Sequence, residues 1–204
     1  MIIFVETNFV FELAFARDEH EACERILRFA ENRNIALCVP AFSLSEPNET
    51  LVRRANRRKT LSRELKVELN EMARSKLYQE SSTQMQNLTK LLVASVDEEK
   101  RDFDLALNRI VAVSRVLPLD EKVITHGIEL QETRNLSPQD AIVYASVLQH
   151  LSTLELDFVK CFVTKNARDF ATPDIINELK PFNCKLLTRF ENALGFIESQ
   201  INTP

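Results

Sequence analysis

Cys161-Phe162-Val163-Thr164-Lys165-Asn166-Ala167-Arg168-Asp169-Phe170 is a short apolar run that breaks into polar and charged residues. Cys161–Val163 reads as a buried strand that continues into Thr164. Asn166 and Asp169 follow its carboxyl end. Outward from this stretch, Ile2–Val5 is a second apolar, β-branched run, and Glu6-Thr7-Asn8 follows it directly. Ile35–Val39 reads as another buried strand, Arg115–Pro118 as a short strand or loop edge, and Lys185–Leu187 as a last short strand.

Helical patterns separate these runs. They cover Phe9–Ala16 and Glu19–Asn32, where Ala22, Ile26, Phe29 and Ala30 recur at helical spacing. Ser43–Lys59 reads as a helix that starts near Ser43 or Ser45. Glu46, three residues after Ser43, matches a capping box, and Pro47 is tolerable only in a first turn. Glu121–Thr133, a helix from Ser137-Pro138 to about Leu151, Pro173–Leu179 and Phe190–Ile201 complete the set. Strands alternating with helices imply a parallel sheet covered on both faces, a three-layer α/β/α fold. Ligand sites in such sheets lie at the carboxyl ends of the strands.

From Thr60 to about Val116 the chain is polar, helical in pattern and free of Gly and Pro. Two or three helices are expected, with breaks near Ser81–Ser82. Leu88, Leu91, Leu92 and Val96 form one apolar stripe; Leu105, Leu107, Ile110 and Val111 form another. The whole chain, 1–204, then reads as a single domain with a helical insertion at about 60–116.

The composition narrows the function classes. With only 2 glycines in 204 residues, no glycine-rich phosphate loop can be written. The net charge of -4 excludes nucleic-acid binding through a uniformly basic surface, so any such binding needs a local patch. Cys23, Cys38, Cys161 and Cys184 show no metal or redox spacing, and His20, His126 and His150 are scattered, which argues against a zinc site. The opening apolar run is too short for a signal peptide or a membrane span. A reduced, cytoplasmic protein with no membrane partner is expected.

Five residues stand where the strand-end rule places a site. Glu6 follows the first strand. Glu46 lies in the first turn after the second, and Asp140 in the first turn of the helix begun at Ser137. Asn166 and Asp169 follow the Cys161 strand. Gathered carboxylates repel and lose solvation, so a site that collects them usually holds a cation. Oxygen ligands suit Mg²⁺ or Mn²⁺, which can activate water against a phosphodiester. Bland readings stand beside these: Glu6 as a solvated strand end, Asp140 and Glu46 as capping-box acids, Asp169 as a turn cap.

The order of these residues along the chain resembles the PIN domain, the fold of VapC-type toxins and related ribonucleases. That family opens with a strand ending in Asp-Thr-Asn, and this chain has Glu6-Thr7-Asn8. A Glu follows the second strand; Glu46 fits, with Glu49 as a rival. Ser137-Pro138-Gln139-Asp140-Ala141-Ile142-Val143-Tyr144-Ala145 is similar to the family's late helix, and Thr164 through Phe170 to its last strand end. The resemblance covers about 1–60 and 117–187. Two positions depart from the pattern: Glu6 replaces the first Asp, and Asn166 stands where many members carry a fourth acid.

What the resemblance implies is a metal-dependent endoribonuclease leaving a 5′-phosphate and a 3′-hydroxyl. Glu6, Glu46, Asp140 and Asp169 would be its catalytic, metal-binding acids. Thr7 and Thr164 would orient water or carboxylates, or else bond backbone as strand-end threonines do. Asn8 would hydrogen-bond a site carboxylate or cap the first helix, and Asn166 would sit behind the acids. Arg53, Arg54, Arg57 and Arg58, with Lys59, make five cations in seven residues, one to three turns beyond Glu46 on the same helix. They, with Lys165 and Arg168, are candidates for RNA phosphate, or a solvated charged face. An antitoxin and a second copy of the chain are the further partners the resemblance implies. The alternatives are a PIN-like module that binds RNA or protein without cutting, and a helical interaction module built on the middle block.

Overall fold

The computed structural model of the protein describes residues 1–201. In chain order it holds β1 (Ile2–Val5), α1 (Thr7–Ala14), α2 (His20–Glu31), β2 (Ala36–Pro40), α3 (Ala41–Met72), α4 (Gln79–Val113) and β3 (Ser114–Leu117). Then come α5 (Glu121–Arg134), α6 (Pro138–Leu151), β4 (Lys160–Val163), α7 (Ala167–Phe170) and α8 (Pro173–Leu179). A 3₁₀ turn (Lys180–Phe182), β5 (Cys184–Leu187) and α9 (Phe190–Ile201) finish it. The five strands form one sheet in the order β3-β2-β1-β4-β5, every neighbour parallel. This is the expected α/β architecture, a parallel sheet flanked by helices.

Side chains alternate across a strand, so each short strand feeds two cores. Phe4, Cys38, Phe162 and Cys184 join Leu130, Tyr144, Val147, Leu148 and Ile175 of α5, α6 and α8 in one cluster. On the alternate positions, Ile3, Leu37 and Cys161 are buried, as are Phe9, Ile26, Leu27, Phe190 and Ile197 of α1, α2 and α9. Phe9 and Phe190 meet at 5.5 Å between ring centroids. All four cysteines are free and buried, packing as small apolar groups.

Caps fix where the helices that carry site residues begin. Ser137 caps α6, its hydroxyl accepting from Asp140 N at 3.1 Å, with Pro138 next to it. Asp120 caps α5 through Val123 N at 2.9 Å, and α5 stops at Asn135, whose φ of 53° is left-handed. Gly127 lets α5 approach α6, since a Cβ there would sit 3.3 Å from Ile142 Cγ1.

The backbone groups into two units: residues 1–47 with 105–204, and Asn48–Asp104. In the second, Leu51, Leu69, Val96 and Phe103 are buried. Ser62 donates to the Thr89 carbonyl at 2.9 Å, and Arg58 pairs with Glu99 at 2.7 Å.

Three local expectations are corrected. α3 begins at Ala41, before Ser43, and runs to Met72 rather than Lys59. Ser43 is therefore helical and not a cap; its hydroxyl is buried and, among the described residues, has no partner. Pro47 sits inside the helix, where it removes one hydrogen bond to the Ser43 carbonyl. The break expected near Ser81–Ser82 lies earlier, between Met72 and Gln79. The Ser82 hydroxyl bonds back to the Tyr78 carbonyl and Thr83 to that of Gln79 at 2.9 Å, so these residues are satisfied within the turn and helix.

Phe162 is fully buried, with Tyr144 and Phe170 at ring-centroid distances of 6.2 and 5.3 Å. Truncating it to alanine is expected to cost about 3–5 kcal/mol, read as a lowered denaturant midpoint at unchanged slope.

Candidate active site

β1 and β4 are neighbours with Val5 opposite Val163, so the residues that leave these strands emerge side by side. Glu6 leaves β1 and is 6% exposed. Its Oε2 accepts from Asn8 N at 2.8 Å; its Oε1 accepts from Asn8 Nδ2 at 2.9 Å and from Lys165 N at 3.3 Å. The Thr164 hydroxyl bonds it as well. Glu6, not Asn8, caps α1, and Asn8 uses its amide to hold that carboxylate. Burial is the largest influence on Glu6 and raises its pKa above 4.5, with the hydrogen bonds from Asn8, Lys165 and Thr164 opposing.

The other half of the site hangs on Asn166. Its backbone N–H donates to Thr164 Oγ1 at 2.9 Å. Its side-chain amide donates to Asp140 Oδ2 at 3.1 Å and to Asp169 Oδ2 at 2.7 Å. One neutral amide therefore spans the two acids. Asp140 also accepts from the Ser137 hydroxyl at 2.7 Å, so its capping role and its place in the cluster coexist. Glu46 comes in through α1: Thr7 Oγ1 donates to its Oε2 at 2.6 Å. The rival Glu49 is exposed.

Glu6, Asp140 and Asp169 are thus reached by hydrogen bonds from Asn8, Thr164, the Lys165 backbone and Asn166, while Glu46 pairs separately with Thr7. Their donors are amides and hydroxyls; among the described residues none of the four joins an ion pair. The donors available to an ion are all oxygens, which is the chemistry of a hard divalent cation. Buried acid without a neutralising cation fits such a group. Among the described residues, however, no three acids, histidines or cysteines converge closely enough to hold an ion.

The candidate phosphate-binding cations differ in their surroundings. Lys165 Nζ is bound by Glu12 at 2.8 Å, and Glu12 is 1% exposed. Arg54 and Arg58 both reach Glu99, at 3.4 and 2.7 Å. Arg53, Arg57 and Arg168 are exposed. Glu12 and the buried Glu19 escaped the sequence reading. Glu12 receives Glu19 N at 2.8 Å, and Glu19 receives Arg189 Nε at 3.2 Å and the N–H of Phe190. Their signal was present: Glu12 is a lone acid in the apolar run Phe9-Val10-Phe11-Glu12-Leu13-Ala14, and a buried acid demands a partner.

Glu6 yields a pH prediction. An acid whose folded pKa is raised contributes stability that is fully present below its unfolded value near 4.5 and is lost as pH rises through the raised value. In chelator-treated buffer, the stability of wild type relative to Glu6→Gln should fall as pH rises from 4.5 toward 8. Denaturant titrations at several pH values measure it; a constant difference would refute the burial argument.

A model of the PIN-domain family matches residues 3–170. No curated protein and no solved structure matches the chain. Among the described residues no helix is long and apolar enough to cross a membrane. PIN domains are a nuclease-type family whose members generally bind nucleic acid and use divalent metal ions. The matched stretch runs from β1 through α7 and takes in Glu6, Glu46, Asp140, Asn166 and Asp169, and on that match the chain belongs to the PIN-domain family.

Proposed function

We propose that the protein is a metal-dependent endoribonuclease. The observation that supports this most is the Asn166 amide joining Asp140 and Asp169, carboxylates carried by two different helices, with a buried Glu6 at the end of the neighbouring strand. Glu6, Asp140 and Asp169, with Glu46, would hold Mg²⁺ or Mn²⁺. Such an ion would lower the pKa of water and neutralise charge on the phosphate under attack. The chain's part is positional. Asn8 and Lys165 N–H fix Glu6, Thr7 fixes Glu46, and Ser137 fixes Asp140. Arg53, Arg57 and Arg168 are the exposed cations suited to RNA phosphates. Arg54, Arg58 and Lys165 already face buried or half-buried acids and would serve that role only by giving up those pairs. An antitoxin partner and a homodimer rest on the family resemblance alone.

The second reading, a PIN-like module that binds RNA without cutting, is favoured by the same amide. Asn166 supplies hydrogen-bond donors where an added carboxylate would supply a ligand, so the acids here are satisfied without an ion.

Incubation with single-stranded RNA and Mn²⁺ tests the first reading. Cleavage is expected, and Asp140→Asn should slow it by on the order of 100-fold. Cutting that survives Asp140→Asn would remove these acids from the chemistry.

Asn166→Asp separates the readings further. It replaces the bridging donor with a fourth acid, so Mn²⁺ affinity measured by calorimetry should rise about tenfold over wild type. Undetectable Mn²⁺ binding by wild type, restored in this variant, would establish the non-cutting module.

A further inference from the structure

At the amino-terminal edge of the sheet, away from the carboxylates, the starts of β4 and β5 meet α8, the 3₁₀ turn and α9 around a cavity of about 490 Å³. Lys160, Lys180, Lys185, Asn183, Ile176 and Phe196 contribute to its lining, and no acidic residue does. All of its lining but Val159 and Lys160 lies beyond residue 170, outside the stretch matched to the family.

The three lysines have neutral partners. Lys160 is 0% exposed and donates to the Glu155 and Phe158 carbonyls at 2.6 and 2.9 Å. Lys180 donates to Asn177 Oδ1 at 2.9 Å, and Lys185 Nζ lies 4.8 Å from the centroid of the Phe196 ring. None of them forms an ion pair among the described residues. A fully buried ammonium is costly to strip of water, and two carbonyl dipoles leave its charge without an anion. Lys180 and Lys185, exposed on the wall of the same cavity and likewise without an acid partner among the described residues, make this a place of concentrated positive charge in a chain of net charge -4.

We propose that this cavity binds a small phosphate monoester with a flat apolar body, of nucleoside-monophosphate size. The lysines match the doubly charged phosphate. Ile176, Leu186 and Phe196 offer apolar wall for the body. The volume lies in the range of small-ligand sites. The cavity is separate in sequence from the acids of the proposed nuclease site, so its occupancy does not depend on that activity.

Calorimetry of the full chain with AMP, UMP and inorganic phosphate, without divalent metal, tests the proposal. A nucleoside monophosphate should bind with a dissociation constant of about 10–100 μM, and inorganic phosphate more weakly. Lys180→Ala and Lys185→Ala alter exposed side chains and should each weaken binding about tenfold, while Asp140→Asn leaves it unchanged. Lys160→Met, checked for folding by circular dichroism, should abolish binding; a folded variant that binds like wild type would show Lys160 to be only a loop staple and overturn the site. No heat at millimolar nucleotide overturns the proposal. So does binding weakened by Asp140→Asn and not by the lysine variants, which would put the nucleotide at the carboxylate edge. Single-stranded RNA bound through these lysines while mononucleotides are ignored would assign the cavity to a polymer and overturn it equally.

Discussion

The pairing of Val5 with Val163 is the contact on which the rest of the site depends. Both strands are four residues long, so one step of slippage would leave little ladder and would turn every side chain to the other face. Their apolar residues fix that register from both sides, Phe4 and Phe162 toward α6, Ile3 and Cys161 toward the opposite layer. With the register set, Glu6 and Thr164 have no freedom but to leave the sheet together. The β4 turn then presents Lys165 N–H to the Glu6 carboxylate at 3.3 Å. A core made of phenylalanines and cysteines thereby determines the position of a charge.

That charge is held where it is costly. Burial pushes the Glu6 carboxyl toward its protonated form, and four neutral donors from Asn8, Lys165 and Thr164 oppose the push. The same economy governs Asp140 and Asp169, whose repulsion is relieved by one amide between them. Amide and hydroxyl donors stabilise carboxylates without cancelling their charge, so the edge keeps its negative potential and remains attractive to a cation. The cost appears in geometry: the Thr7 and Asn166 hydrogen bonds each occupy one carboxylate oxygen, so an ion drawing these acids together would compete with them for lone pairs. On the proposed function, affinity for the ion would be a difference between coordination gained and hydrogen bonds lost, with the residue at position 166 contributing to the second quantity.

The fold was largely legible in the sequence, and the reasons are local. Buried strands of a parallel sheet are nearly continuous apolar runs, and Ser137-Pro138 and Thr172-Pro173 mark helix starts that the caps confirm. Order along the chain then located the acids at one edge. Partnership was less legible. Asp140 takes part in both the capping contact and the contact with the neighbouring acid's partner, because the Ser137 hydroxyl and the Asn166 amide both reach it. Glu6 capping α1 displaced Asn8 from that role, since burial makes the longer carboxylate seek the free N–H groups of the helix start. Propensity also misplaced helix limits. Pro47 is tolerated inside α3, and α4 continues through Ser81–Ser82, because the lost or competing hydrogen bonds are outweighed elsewhere in each long helix.

Buried acids outside the site shape it as much as those within. Glu12 takes Lys165, the cation nearest in sequence to the Thr164 strand end, and Glu19 takes Arg189 and the N–H groups that open α9. Each pairing follows from the desolvation cost of a lone buried carboxylate, which is large enough to recruit whatever donor is within reach. The consequence for recognition is a separation of roles. Lys165 holds the site through its peptide N–H on Glu6 while its ammonium is committed to Glu12. On the proposed function, a phosphate arriving at the carboxylate edge would then be met by the exposed Arg168 or by an ion held there, not by the lysine that sequence proximity nominates. In a chain of net negative charge, binding a polyanion at an acidic edge without such an ion would set like charges against each other. On the proposed function, the demand for a cation would therefore arise from the arrangement of the acids and from the prior commitment of their nearest lysine.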